Sequence, residues 1–162
     1  MDIRTAGPEE ISALALLWHS GWQDTHAALL PEALARVRTL ESFRERLAAT
    51  LSETRVAGPK GAPLGLCMLK GDELNQLYVS AEARGAGVAA ALIADAESRQ
   101  AASGVETAWL ACAIGNDRAG RFYEKSGWRR AGTFVSRLDT INGPFDLEVW
   151  RYEKHLAQPH YT

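Results

Sequence analysis

A chain of 162 residues, 46% hydrophobic and 23% charged, suits one domain with enough apolar material to bury a real core. A formal net charge of -2 leaves no general basic field, which excludes non-specific nucleic-acid binding driven by bulk charge. The segment MDIRTAGPEE has no cationic lead into a long apolar run, and no stretch approaches membrane-spanning length, so a soluble cytoplasmic protein without a membrane partner is expected.

Gly7, Pro8 at a first helical position, Glu9 and Glu10 mark a helix start, and Ile11, Leu14, Ala15, Trp18 and Trp22 fall on one face of the helix behind it. Pro31 opens a second, short helix, and Leu40, Phe43, Leu47 and Leu51 set the apolar spacing of a third. Strands are expected at about 53–57 (ETRVA) and 63–69 (PLGLCML), separated by the turn GPKGA, and at 73–79 (ELNQLYV) after KGD. A helix begins near Gly87, turns Val88, Leu92 and Ile93 inward and stops around Ser103-Gly104, and the strand TAWLACA follows. Asn116 stands where a cap belongs; Ala119, Phe122 and Tyr123 share one face of the helix after it, which Gly127 ends. Segments at 129–138 and 145–153 alternate as strands about the turn ING-P. No repeat or linker divides the chain. Cys67 and Cys112 lie in apolar strand runs and read as reduced, buried thiols, and no His/Cys spacing suggests a metal site. The strand-helix-strand unit around Gly87 is a right-handed crossover between parallel neighbours, while short turns make the flanking strands antiparallel, so a mixed α/β sheet is expected.

The stretch ARGAGVAAALI (83–93) carries the first chemical signal. A Gly-rich turn opening a helix leaves backbone N–H groups without intrahelical partners, aimed at one point with the positive end of the dipole behind them, which makes an anion site. A plain glycine turn with a solvated Arg84 is the bland alternative. Gly85-x-Gly87-x-x-Ala90 also fits a dinucleotide fingerprint loosely, with Glu106 downstream, but Glu106 stands before the next strand rather than at its end, and too few elements follow for a repeated βαβ series.

The run LYVSAEARGAGVAAALI (77–93) resembles the acetyl-CoA signature of the Gcn5-related N-acetyltransferases, an Arg or Gln, two unspecified residues, Gly, any residue, then Gly or Ala, with Arg84, Gly87 and Ala89 in those places. The segment NDRAGRFYEKSGW (116–128) resembles that family's second element. The specificity of the likeness lies between about 74 and 128. It implies a single domain over 1–154, with 155–162 as a C-terminal tail, and a mixed, mostly antiparallel sheet with flanking helices, whose central parallel strand pair splays apart. By that resemblance acetyl-CoA is the co-substrate, and its arm enters between the strands ending at Val79 and near Ala113. Backbone groups of Leu77, Tyr78 and Val79 would bond the arm, and amides along Gly85, Ala86, Gly87, Val88, Ala89 and Ala90, framed by Arg84, would hold the pyrophosphate. Asn116 would touch the coenzyme as well as cap its helix.

An amine attacks a thioester only when neutral, and the departing thiolate gains from a proton donor. Tyr123 matches the family position that donates this proton, although helical spacing alone also permits a core tyrosine beside Phe122. Some family members carry a glutamate on the preceding strand, where this chain has Ala111, so Glu73 as a base and Asn75 as a water-positioning amide are the substitutes. Proximity supplies much of the rate when a base is weak. The implied activity is N-acetyl transfer to a primary amine of a small molecule or of a protein N-terminus or lysine, by direct attack in a ternary complex. The missing glutamate motivates an alternative, a catalytically inactive CoA-binding regulatory module, and an interaction protein with an empty loop is a third reading. The family's acceptor side offers Trp18, Trp22, Asp24, His26 and the neighbourhood of Arg137 and Phe145. Trp18 reads as core, and His26 as a surface histidine before a proton relay. A homodimer through the late strands or the tail LAQPHYT is compatible with the sequence and not required by it.

Overall fold

The Arg4 guanidinium forks onto both carboxylate oxygens of Glu10 at 2.7 and 2.8 Å, and Glu10 also accepts from the Gly7 amide at 2.9 Å. This pairing allows a carboxylate only 2% exposed to sit at a helix start. It ties a short strand β1 (Ile3–Thr5), which three residues cannot announce by periodicity, to the single 3₁₀ turn Pro8–Glu10 that leads into α1 (Ile11–His26). The computed structural model describes residues 1–157. After α1 come α2 (Glu32–Ala35), α3 (Leu40–Ala49), β2 (Thr54–Ala57), β3 (Gly65–Lys70) and β4 (Glu73–Val79). They are followed by α4 (Val88–Ala102), β5 (Thr107–Ala113), α5 (Asp117–Lys125), β6 (Arg129–Leu138) and β7 (Phe145–His155).

The strands form one seven-stranded sheet in the order β1-β2-β3-β4-β5-β7-β6, antiparallel at every pairing except β4–β5. This is the expected mixed α/β architecture, and its antiparallel flanks exclude the repeated parallel units of a dinucleotide fold. Glu106 precedes β5, at the end away from the glycine loop, where its carbonyl accepts from Leu156 at 2.8 Å. Two cores cover the two faces. Val88, Leu92, Ile93 and Ala96 of α4 and Tyr123 of α5 pack with Cys67, Leu74, Ala108 and Leu110 on one side. Leu14, Trp18 and Trp22 of α1 and Phe43 and Leu47 of α3 pack with Val56, Leu66 and Met68 on the other. Both cysteines are free and buried, and burial pushes the Cys67 thiol up to about 12 and the Cys112 thiol up to about 11.

One irregularity opens the sheet. Met68 pairs with Gln76 but Leu69 with Leu74, so Asn75 is an extra residue in β4. Such a bulge bends its strand and sharpens its twist. Accordingly β4 and β5 pair in register only at Glu73 and Trp109, a junction fastened by Trp109, whose amide donates to the Asp72 carbonyl at 3.0 Å and whose indole N–H donates to the Asp72 carboxylate at 2.9 Å. Beyond it the two strands part.

β7 runs to His155 and Leu156 is buried, and residues 158–162 of the tail expected over 155–162 lie outside the described ones. No helix among the described residues is long and apolar enough to cross a membrane.

Candidate functional site

The parting of β4 and β5 leaves a cavity of about 470 Å³ between the ends of the two strands, the start of α4 and the first turns of α5. Past Glu73 the residues of β4 have no strand partner on the β5 side, so their outward backbone N–H and C=O groups are open. Gly85 and Gly87 hold φ of +83° and +82°, a region closed to most L-residues, and a Cβ at either would meet nothing within 4 Å. Within the protein it is the backbone conformation, not a neighbouring atom, that calls for glycine at both positions.

The chain gives the α4 N-terminus no side-chain cap, and its first helical bond there runs from the Ala91 amide to the Gly87 carbonyl at 3.0 Å. The amides of Val88, Ala89 and Ala90 are therefore unserved among the described residues and border the cavity with the helix dipole behind them. Ala86 stands apart. Its amide donates to the Ala83 carbonyl at 3.2 Å and it does not line the cavity, so it leaves the cradle expected from the sequence. Leu77, Tyr78, Val79, Arg84, Gly85, Gly87 and Asn116 do line it. The Asn116 side-chain oxygen accepts from the Ala119 amide at 3.3 Å, the cap read from the sequence. Arg84 sits on the rim, 3.6 Å from the Asp24 carboxylate. Arg118, not singled out in the sequence, lines the same wall. A cation in the first turn of a helix opposes the helix dipole, and that mismatch was its signal.

Tyr123 reaches the cavity from α5 with its ring packed against Phe122, Trp128 and Tyr152 at centroid distances of 5.4, 6.2 and 5.8 Å. No hydrogen bond among the described residues engages its hydroxyl, and burial pushes the phenol well above its ordinary value, so it holds its proton.

A second cleft, about 1010 Å³, lies on the α1–α3 side of the sheet. It meets the first cavity at His26, Asn75, Gln76, Tyr78, Ala111 and Ala113, which line both. Ala111 is exposed in mid-strand because its neighbour β4 has swung away, and it brings no carboxylate to the junction. Glu73 lines the second cleft, half-buried, with burial raising its carboxyl above the ordinary carboxylate range and Asn75 working against that rise. Trp18 is core, its ring 4.8 Å from that of Phe43, and Trp22 is buried but reaches the second cleft. Arg137 lines that cleft, whereas Phe145 packs into the α1–α3 core instead.

His26 corrects the expectation of a surface histidine. It lies half-buried at the junction, its Nδ1 3.3 Å from the Tyr78 hydroxyl, and burial pulls its imidazole down to about 4. The Tyr78 ring gets there because α1 has a glycine under it: a Cβ on Gly21 would stand 2.6 Å from Tyr78 Cδ1. A glycine in mid-helix costs about 1 kcal/mol relative to alanine, and this close approach is what it gains. The depressed His26 value has a sign. Between about 4 and the ordinary 6.5 the unfolded chain binds a proton that the folded chain refuses, so this contribution is complete above that window and is lost as pH falls through it. Urea unfolding of parent and His26→Asn across that range should show the variant losing less stability on acidification, by at most about 3 kcal/mol after solvent screening. Parallel curves would make the imidazole an ordinary solvated one.

Residues 19–128 match the model of the acetyltransferase (GNAT) family. An uncharacterized N-acetyltransferase of Mycobacterium tuberculosis strain H37Rv is 34% identical over 120 residues, covering 68% of this chain and 77% of the relative, and one from Mycobacterium bovis matches equally. Among solved structures, a GCN5-related N-acetyltransferase from Rhodopseudomonas palustris superposes with a TM-score of 0.74 at 22% identity, over 96% of this chain and 95% of that one. A PaiA N-acetyltransferase from Thermoplasma acidophilum, in complex with coenzyme A, gives 0.67 at 18% identity over 95% and 98%.

Proposed function

This chain belongs to the acetyltransferase (GNAT) family and is an acetyl-CoA-dependent acetyltransferase, and on that premise we propose that it acetylates a primary amine by direct attack in a ternary complex. The observation that carries this reading is the meeting of two cavities, one on each side of the splayed strands, at Asn75, Gln76, Tyr78 and Ala111. A donor held in the first and an amine held in the second face each other through the gap, and holding two reactants in line supplies a large share of the rate.

The residues fit the donor. The unserved amides of Val88, Ala89 and Ala90, with Gly85 and Gly87 shaping the loop and Arg84 and Arg118 at its rim, suit a pyrophosphate. The open edge of β4 at Leu77, Tyr78 and Val79 suits an extended arm that bonds like a strand. The neutral amine nitrogen attacks the thioester carbonyl, the C–S bond breaks, and Tyr123 gives its proton to the departing thiolate. The proton shed by the amine passes to Glu73, through a water that Asn75 orients, and returns to Tyr123 through solvent. His26 stays neutral above about 4 and, with Tyr78, forms a polar wall at the junction rather than a proton store. The buried Cys112 thiol, pushed up to about 11, is too basic to serve as an acyl carrier at neutral pH.

Thiol release from acetyl-CoA, followed against a panel of primary amines with both substrates varied, tests this. Direct transfer gives intersecting double-reciprocal lines and no acetylated protein by mass spectrometry. Parallel lines with an acetyl-protein adduct would replace it with a covalent route.

A further inference from the structure

Two arginines in the second cleft lack the partner that buried cations ordinarily have. Arg38, between α2 and α3, is only 6% exposed, and among the described residues its guanidinium has one hydrogen bond, to the peptide oxygen of Asp139 at 3.1 Å. Arg46, on α3, is half-buried with its guanidinium 4.4 Å above the Trp18 ring and 5.6 Å from that of Phe43. Neither forms an ion pair among the described residues, although both line the cleft. Burial and the neighbouring Arg38 charge pull Arg46 down to about 10, while Tyr78 and then Asp139, exposed just past the end of β6, offset only part of this. Two like charges taken out of water beside each other are costly unless an anion joins them. The Trp18 ring holds the Arg46 guanidinium at the cleft, and a guanidinium offers a fork of N–H donors that suits a carboxylate or phosphate.

Both cations act electrostatically on Tyr78, whose side chain lines the junction of the two cavities. Glu73 and Asn75 border the same cleft. An acceptor with its amine toward Asn75 and Glu73 and an anionic group on the arginines would match both ends. We propose that the acceptor is a small amine carrying an anionic oxygen group, an amino-acid carboxylate in the first instance, seated on Arg38 and Arg46. This rests on the reading of the second cleft as the acceptor side of an acetyltransferase.

The test takes the full chain with coenzyme A in excess and measures calorimetric binding of α-amino acids with acidic, basic, polar and apolar side chains, each against its own carboxamide. Phosphoethanolamine against ethanolamine forms a second arm. At least one amino acid should bind, with affinity lower by about tenfold or more in its carboxamide, and Arg38→Gln should lose most of that difference. Preference for phosphoethanolamine over every carboxylate would keep the arginines as the anion site and assign it to phosphate. Because Arg38 is buried, the acid-against-amide comparison on the parent protein decides the matter even where the variant folds poorly. Equal binding of acids and carboxamides, or no binding of any anionic amine, overturns the proposal. Coenzyme A binding is recorded separately, so its failure counts against the acetyltransferase reading, whereas failure of the anionic arm alone counts against this one.

Discussion

Phenylalanine in place of Tyr123 should lower kcat by about 100-fold or more at neutral pH and leave coenzyme A affinity within about threefold of the parent. The substitution removes one oxygen and keeps the ring that packs against Phe122, Trp128 and Tyr152, so the α5 core survives it. The hydroxyl has no hydrogen-bond partner among the described residues and faces the cavity where a thiolate would leave. With the phenol held well above its ordinary value of 10.0, the parent's rate should show no loss from Tyr123 ionisation as pH rises from neutrality to about that value. Stopped-flow turnover and calorimetric titration on the same preparation check both halves. A loss of affinity as large as the loss of turnover would move Tyr123 from proton donor to coenzyme wall.

Local signals carried most of this architecture. The Glu73–Val79, Thr107–Ala113 and Arg129–Leu138 strands have the bounds that alternation and turn residues announce, and Asn116 caps α5 because its side-chain oxygen accepts from the Ala119 N–H, which the first turn of a helix leaves without a partner. What escaped was set by partners distant in sequence. β1 is a three-residue strand that exists because Ile3 and Thr5 pair with Ala57 and Arg55. The extra residue at Asn75, which opens the gap, is a register shift against Met68 and Leu69 that no pattern within ELNQLYV encodes. His26 is half-buried because Tyr78 crosses over Gly21 to meet it, and Arg38 and Arg46 gain meaning only when the α2–α3 connection and α3 lay them along the cleft. The proposed coenzyme side was legible because its loop is contiguous in the chain. The proposed acceptor side is assembled from α1, the α2–α3 connection, α3 and the sheet.

Gly87 gives the sharpest test of that contiguous half. Glutamate there should abolish detectable coenzyme A binding, a loss of about 100-fold or more, since it sets a carboxylate among the amides of Val88, Ala89 and Ala90 where a pyrophosphate would lie. Backbone strain alone would also perturb the loop, because Gly87 has a φ of +82°. Gly87→Ala separates the two effects: its Cβ meets nothing within 4 Å, so it should cost about 1 to 2 kcal/mol of stability from conformation while weakening coenzyme binding far less than glutamate does. Charge and bulk would then account for the difference between the variants. Should Gly87→Glu bind coenzyme A like the parent, the α4 N-terminus would not be the pyrophosphate cradle. If alanine and glutamate lost affinity equally, the left-handed turn itself, and not the space in front of it, would be what the coenzyme requires.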